Sequence, residues 1–231
     1  MIRNAFIFAR GGSKGLPRKN VLPLAGKPLL AHSIDSAKQA GIFTRIFVST
    51  DDAEIANVAR QYGAEVIDRP AQLAQDTSSE WLAWQHAITW VQSKYGAFET
   101  FVSLPTTSPL RIKDDIIAAV EQLNATDADI CISITPASRS PYFNMVTRQD
   151  SGEVQLVINT DTKVLRRQDA PEVFDITTVV YAAKSRYVES GKGVLSGKVT
   201  SICVPPERAV DIDTQLDFDL AQLLIARQES N

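Results

Sequence analysis

The chain has 231 residues, 44% hydrophobic and 22% charged, which allows one large domain or one domain with an inserted subdomain. Its 24 Lys and Arg against 27 Asp and Glu give a net charge of −3, which argues against a nucleic-acid partner. No apolar run approaches the roughly 20 residues of a membrane span, and the N-terminal run is too short for a signal peptide, so no membrane partner and a cytoplasmic location are expected. Cys131 and Cys203 lie in apolar stretches without zinc-site spacing and read as buried, reduced thiols.

Strand and helix signals alternate in chain order. Ala5 to Ala9 reads as a buried strand, and Pro28 opens a helix that carries Leu30, Ile34 and Ala37 and stops at Gly41. Arg45 to Thr50 is a second strand. Asp51 with Glu54 forms a capping-box pattern ahead of an apolar stripe of Ile55, Val58, Ala59 and Tyr62. Ala64 to Ile67, Phe98 to Leu104 and Asp129 to Ile134 are further strands. The helices between them are marked by Trp81, Trp84, Ile88 and Val91, and by Ile116, Val120 and Leu123. From about 141 to 167 the rhythm changes, and Val154, Leu156 and Ile158 alternate with polar residues as in a half-exposed antiparallel strand. Strands at Val173 to Ala183 and Thr200 to Val204 follow, then a final helix with Leu216, Leu220 and Leu223 at helical spacing. The expected fold is α/β: a three-layer, doubly wound, mainly parallel sheet forming one domain over residues 1–231, with a small β-rich insertion at about 141–167.

The loop after the first strand carries the strongest chemical signal. Between Arg10 and Asn20 it holds Gly11, Gly12 and Gly15, which let backbone approach an anion, and the cations Arg10, Lys14, Arg18 and Lys19. That combination suits a triphosphate. The nucleoside-triphosphatase P-loop pattern is absent, and so is the dinucleotide fingerprint. Near the other end, Asp211 and Asp213 flank Ile212; in an extended chain residues two apart share a side, so the carboxylates converge and suit Mg²⁺, although Asp213 or Thr214 could equally cap the last helix. Thr106, Thr107, Ser108 and Arg111 leave a strand at the same sheet edge, and hydroxyls with an Arg suit a sugar acid, although Thr-Ser-Pro is also ordinary turn chemistry.

Together these segments resemble the acylneuraminate cytidylyltransferase family. The resemblance runs in order along nearly the whole chain: Ala9 to Asn20, Val48 to Asp52, Arg69-Pro70, Asp76 to Ser79, Thr107 to Arg111, Ser140 to Asn144, Arg166 to Pro171 and Asp211 to Thr214. It implies a nucleotide-diphospho-sugar transferase-like sheet and a reaction in which CTP and a nine-carbon 2-keto sugar acid give the CMP-sugar and pyrophosphate. It implies that Ala9, Arg10, Gly12, Ser13, Lys14, Lys19, Asn20, Arg69 and Ser78 bind CTP, with Arg10, Lys19 and Asp211 carrying the catalysis. Asp211 and Asp213 would hold Mg²⁺ or Mn²⁺, and Thr107, Ser108, Arg111, Arg167 and Tyr181 would form the sugar site. The insertion would build a homodimer, with Arg166 and Arg167 reaching the neighbouring subunit.

Three positions depart from the family pattern. Pro105 and Thr106 stand where Gln and Pro are frequent, Thr177 and Thr178 where Asn and Gly are frequent, and Phe8 where Pro is usual, the last a change expected to matter little. The first two leave N-acetylneuraminate, legionaminate and pseudaminate all open as the sugar. A glycosyltransferase with an Asp-x-Asp motif is the competing enzyme class, but there the motif usually closes an early strand; a non-catalytic nucleotide-binding regulator fits poorly with an intact cationic loop and both aspartates.

Overall fold

The computed structural model describes residues 1–13, 15–159, 166–191 and 193–229. In chain order the strands are β1 (Arg3–Phe8), β2 (Pro23–Leu24), β3 (Lys27–Pro28), β4 (Arg45–Thr50), β5 (Glu65–Asp68), β6 (Thr100–Ser103), β7 (Ile130–Pro136), β8 (Val146–Arg148), β9 (Val154–Leu156), β10 (Phe174–Lys184) and β11 (Val199–Cys203). The helices are α1 (Leu29–Ala40), α2 (Ala53–Gln61), α3 (Glu80–Tyr95), α4 (Lys113–Ala125), α5 (Ser185–Glu189) and α6 (Gln215–Glu229).

Seven strands form one sheet in the order β11-β7-β10-β6-β1-β4-β5. All neighbouring pairs are parallel except those of β10, which runs antiparallel to β6 and β7 and shifts register between Thr177 and Tyr181. Alternation along β1 separates the layers: Ala5 and Ile7 face α1, α2 and α4 on one side, and Phe6 faces α3 and α5 on the other. The aromatic stripe of α3 is core, as its spacing requires: Trp84 packs 5.1 Å from Phe101 and 5.6 Å from Tyr181, ring to ring. A third cluster, Leu16, Leu24, Leu29, Ile212, Phe218 and Ala221, anchors the loop after β1 and the acidic segment to the same apolar ground. Burying Ile212 fully contributes about 1.5–3 kcal/mol. Among the described residues, no helix is long and apolar enough to cross a membrane.

Several local expectations are corrected. The cap of α2 is Asp52, whose side chain accepts from the Glu54 and Ile55 N–H groups; Asp51 instead accepts the Gly11 N–H. Helix α1 begins one residue after Pro28, and Gly41 ends it in a left-handed turn at φ 66°. Cys203 is exposed on the edge strand, whereas Cys131 is buried. Leu216, Leu220 and Leu223 lie on the exposed face of α6, while Phe218, Ala221 and Ile225 face the core. Both stripes satisfy helical spacing, and the cluster around Leu16 and Leu24 decides which one is covered. The insertion is a two-stranded antiparallel hairpin of β8 and β9, with Val146 opposite Leu156.

Candidate active site

The loop after β1 leaves the sheet where the parallel strands β1 and β4 end, the position at which α/β sheets gather ligands. Its path depends on glycine at two points. A Cβ on Gly11 would lie 2.8 Å from Asp52 Oδ2, and one on Gly15 would lie 2.3 Å from the Asp213 carbonyl oxygen. Gly12, by contrast, has open space on its side-chain side. Asn20 fastens the loop: its amide donates to the Arg10 carbonyl at 3.0 Å and its oxygen accepts the Thr106 hydroxyl at 2.6 Å. Asn20 and Thr106 are both buried, so the unusual Thr106 serves the loop from beneath.

Charges converge above that floor. Lys19 Nζ donates to the Ile212 carbonyl at 2.6 Å and to Asp213 Oδ1 at 3.1 Å, which ties residues near the two ends of the chain together. Arg10 Nη1 meets Asp76 Oδ1 at 2.5 Å. Arg18, held at φ 57°, turns outward; it donates to Asp52 at 2.6 Å and to Glu54, and its guanidinium holds the Asp52 carboxyl below its ordinary range. A cleft of about 340 Å³ lies between Arg10, Ser13, Lys19, Asn20, Thr106, Thr107 and Asp213. Ala9 is buried, and Lys14 lies outside the described residues.

A second cleft, of about 250 Å³, adjoins the first through Phe8 and Arg10 and is lined also by Arg69, Gln75, Ser78 and Glu80. Arg69 is buried, with Nε donating to Ser49 Oγ at 3.2 Å and Nη2 to the Ser49 carbonyl at 2.7 Å; burial lowers its pKa. Its guanidinium stands 5.6 Å from the Phe8 ring centre. Ser78 Oγ donates to the Gln72 carbonyl at 2.6 Å. Sequence reasoning missed two residues here. Phe8, expected to matter little, lines both clefts. Glu80 looked like an ordinary acidic residue in the first turn of a helix, and no pattern set it apart.

The acidic segment Val210 to Asp213 forms no regular strand, yet Ile212 points into the core and its N–H donates to the Thr107 carbonyl at 2.8 Å. Asp211 is half-buried, and its Oδ1 has no hydrogen-bond partner among the described residues. Asp213 is exposed and paired with Lys19. A buried carboxylate oxygen without a donor, two residues from a second carboxylate and next to a cationic loop, fits a hard divalent cation that takes one or two carboxylates and leaves its other positions to phosphate and water. Tyr181 lies beside this group: burial, with the charges of Glu80 and Asp211, pushes its hydroxyl up to about 12 and keeps it a neutral donor.

The expected sugar residues divide. Thr107 lines the first cleft and its hydroxyl lies 3.2 Å from that of Thr178. Ser108 is fully buried, with its hydroxyl 2.7 Å from the same Thr178, so it faces the core. Arg111 is corrected outright: it is buried, and donates to Val179 O at 2.6 Å, Ser33 Oγ at 2.7 Å, Thr178 O at 3.3 Å and Pro105 O. The Thr178 and Val179 carbonyls lie in the bulge of β10, so Arg111 braces the bulge, and its donors are turned to partners inside the chain. Burial lowers its pKa to about 9, against the pull of Asp115 and Asp211. Arg167 is set apart from the loop, donating to the Ala137 carbonyl at 2.8 Å and lining a separate cleft of about 380 Å³ with Arg139 and Ser140.

Comparison with known proteins agrees with this geometry. A family model described as Cytidylyltransferase matches residues 5–219. The chain is 36% identical over 223 residues to the CMP-N,N′-diacetyllegionaminic acid synthase of Campylobacter jejuni, covering 95% of this chain and 93% of that protein. It is 32% identical over 217 residues to the N-acylneuraminate cytidylyltransferase of Escherichia coli, covering 94% of this chain and 50% of that longer protein. Its fold matches a solved CMP:2-keto-3-deoxy-manno-octonic acid synthetase complexed with CTP, with a TM-score of 0.73 at 14% identity over 99% of this chain and 100% of that one. By these matches, which span nearly its whole length, the chain belongs to the acylneuraminate cytidylyltransferase family.

Proposed function

We propose that this protein transfers CMP from CTP to the anomeric hydroxyl of a nine-carbon 2-keto sugar acid and releases pyrophosphate. The observation that carries the reading is the junction at Lys19, bonded at once to the Ile212 carbonyl and to Asp213, which brings a cationic glycine loop onto an acidic segment at the strand ends. Attack on the α-phosphorus requires neutralised phosphates, an acceptor held in line and the loss of one proton. A triphosphate in the first cleft would draw Arg10 from Asp76 and Lys19 from Asp213, replacing ion pairs within the chain by charge-assisted bonds to phosphate. Ser13 and the open side of Gly12 leave room for phosphate oxygens, and Lys14 joins them by the family pattern. Asp211 and the released Asp213 would hold Mg²⁺ (or Mn²⁺), whose chemistry is to offset phosphate charge. Arg69 and Ser78, which line the second cleft, would border the nucleotide at its far end, and Thr107, which lines the first, would border the acceptor together with Tyr181.

Assembly belongs to the same proposal. The β8–β9 hairpin and its flanks leave Met145, Val146, Val154, Val157 and Ile158 between 39% and 61% exposed. A two-stranded hairpin has no core of its own, so pairing with a second copy would cover this face and produce a homodimer. Arg167, at the end of the same insertion, then suits a sugar carboxylate shared across the interface. A reaction that consumes CTP fits a cytoplasmic location.

Pyrophosphate release tests the function. CTP, UTP, ATP and GTP are each incubated with N-acetylneuraminate and with legionaminate- and pseudaminate-type acids. Release is expected from CTP and only in the presence of one of these acids. Release independent of the acid, or none from any combination, would refute the reading.

A further inference from the structure

The second cleft holds a feature that neither the phosphate loop nor the acidic segment explains. Its walls are the Phe8 ring, Leu73 and Ala83, and two carboxylates line it, Asp76 and Glu80. Asp76 is paired with Arg10. Glu80 has no cation within ion-pair distance among the described residues, and Arg69, which attracts it from a distance, already donates to Ser49. Burial raises the pKa of the Glu80 carboxyl, opposed by the indole N–H of Trp84, one helical turn on, and by the charge of Arg69. Glu80 itself is exposed to the cleft. With a triphosphate on the loop, the shared wall of Phe8 and Arg10 would leave this cleft for the nucleobase.

We infer that Glu80 selects cytosine over uracil by accepting a hydrogen bond from the exocyclic 4-amino group. The inference rests on the reading of CTP as substrate. Cytosine presents an amine donor at position 4, where uracil presents a carbonyl oxygen. A carboxylate has acceptors only, so it bonds the amine and repels the carbonyl. Glu80 is a specificity-determining residue in this account; the phosphate chemistry does not pass through it.

The test measures kcat/KM for CTP, UTP and a CTP analogue carrying hydrogen in place of the 4-amino group, with one sugar acid, in wild type and in Glu80→Gln. Wild type should prefer CTP over both. In Glu80→Gln, whose amide can donate to the uracil oxygen, the CTP/UTP ratio should fall by roughly 10- to 100-fold, and the penalty for the deaminated analogue should shrink in step. If Glu80→Gln does not fold, Glu80→Asp withdraws the acceptor by one methylene, and the penalty for the deaminated analogue should shrink while UTP stays poorly used. Equal use of CTP and the analogue by wild type overturns the inference, as does an unchanged CTP/UTP ratio accompanied by a raised KM for the sugar acid, which would put Glu80 on the acceptor side. Failure of wild type to turn over CTP at all overturns the functional reading instead.

Discussion

Arg111→Met keeps the length of the side chain and removes every donor of the guanidinium. Four acceptors lose their partner: Val179 O, Thr178 O, Pro105 O and Ser33 Oγ. A buried acceptor left unbonded costs about 1–3 kcal/mol. The sum is reduced because the variant no longer buries a cation, which itself costs several kcal/mol, and because the Ser33 hydroxyl can rotate to another partner. A net loss of about 3–5 kcal/mol remains, the range for breaking one side of a buried charged network. At roughly 2–4 °C per kcal/mol for a chain of this size, the melting temperature should fall by roughly 6–20 °C. Urea unfolding followed by circular dichroism measures the loss, and Michaelis constants are taken well below the transition. The sequence places Arg111 on the sugar carboxylate, which would raise the sugar KM and leave stability alone. A variant within about 1 kcal/mol of wild type with a tenfold higher sugar KM would refute the structural assignment.

Asp211→Asn should leave stability unchanged or slightly higher, since Oδ1 forms no hydrogen bond to lose, while turnover drops roughly 30- to 1000-fold at limiting Mg²⁺; near-wild-type rates there would remove Asp211 from the site. Asp52→Ala should cost about 1 kcal/mol through the lost cap of α2. Because Arg18 depresses the Asp52 carboxyl in the folded state, that contribution is complete above the ordinary carboxylate range near pH 4 and disappears as pH falls through the lower folded value. Urea midpoints for the two proteins should therefore differ at pH 7 and draw together as pH falls below the ordinary carboxylate range, and a gap that widens on acidification would contradict this. Mixing Arg167→Ala chains with Arg10→Ala chains should restore part of the activity, since one site of each mixed dimer then carries both lesions and the other neither; no recovery despite proven mixed dimers would end the shared-site idea.

What could be read from the sequence followed how local each signal is. The loop from Arg10 to Asn20 announces an anion site because glycines and cations sit within a dozen residues, and Asp211 and Asp213 announce a cation site by their spacing alone. The alternation of strands and helices likewise gives the layered sheet, including β10, although not its antiparallel direction. The misreadings concern residues whose partners are distant in sequence. Arg111 is fixed by Ser33 and by the β10 bulge at Thr178 and Val179, none of which is visible beside it in the chain. The two apolar stripes of α6 are equivalent until Leu16 and Leu24 cover one of them. Phe8 and Glu80 gain their meaning only where β1, β5 and α3 converge around one cleft.

The central claim is that CTP is opened at its α-phosphorus and joined to a sugar acid in the cleft between the loop and the acidic segment. Phosphorus NMR of CTP, Mg²⁺ and the accepted nonulosonic acid tests it most directly. The three CTP resonances should be replaced by equal amounts of pyrophosphate and a single phosphodiester. Formation of CDP with inorganic phosphate, or of free CMP without a sugar phosphodiester, would contradict it.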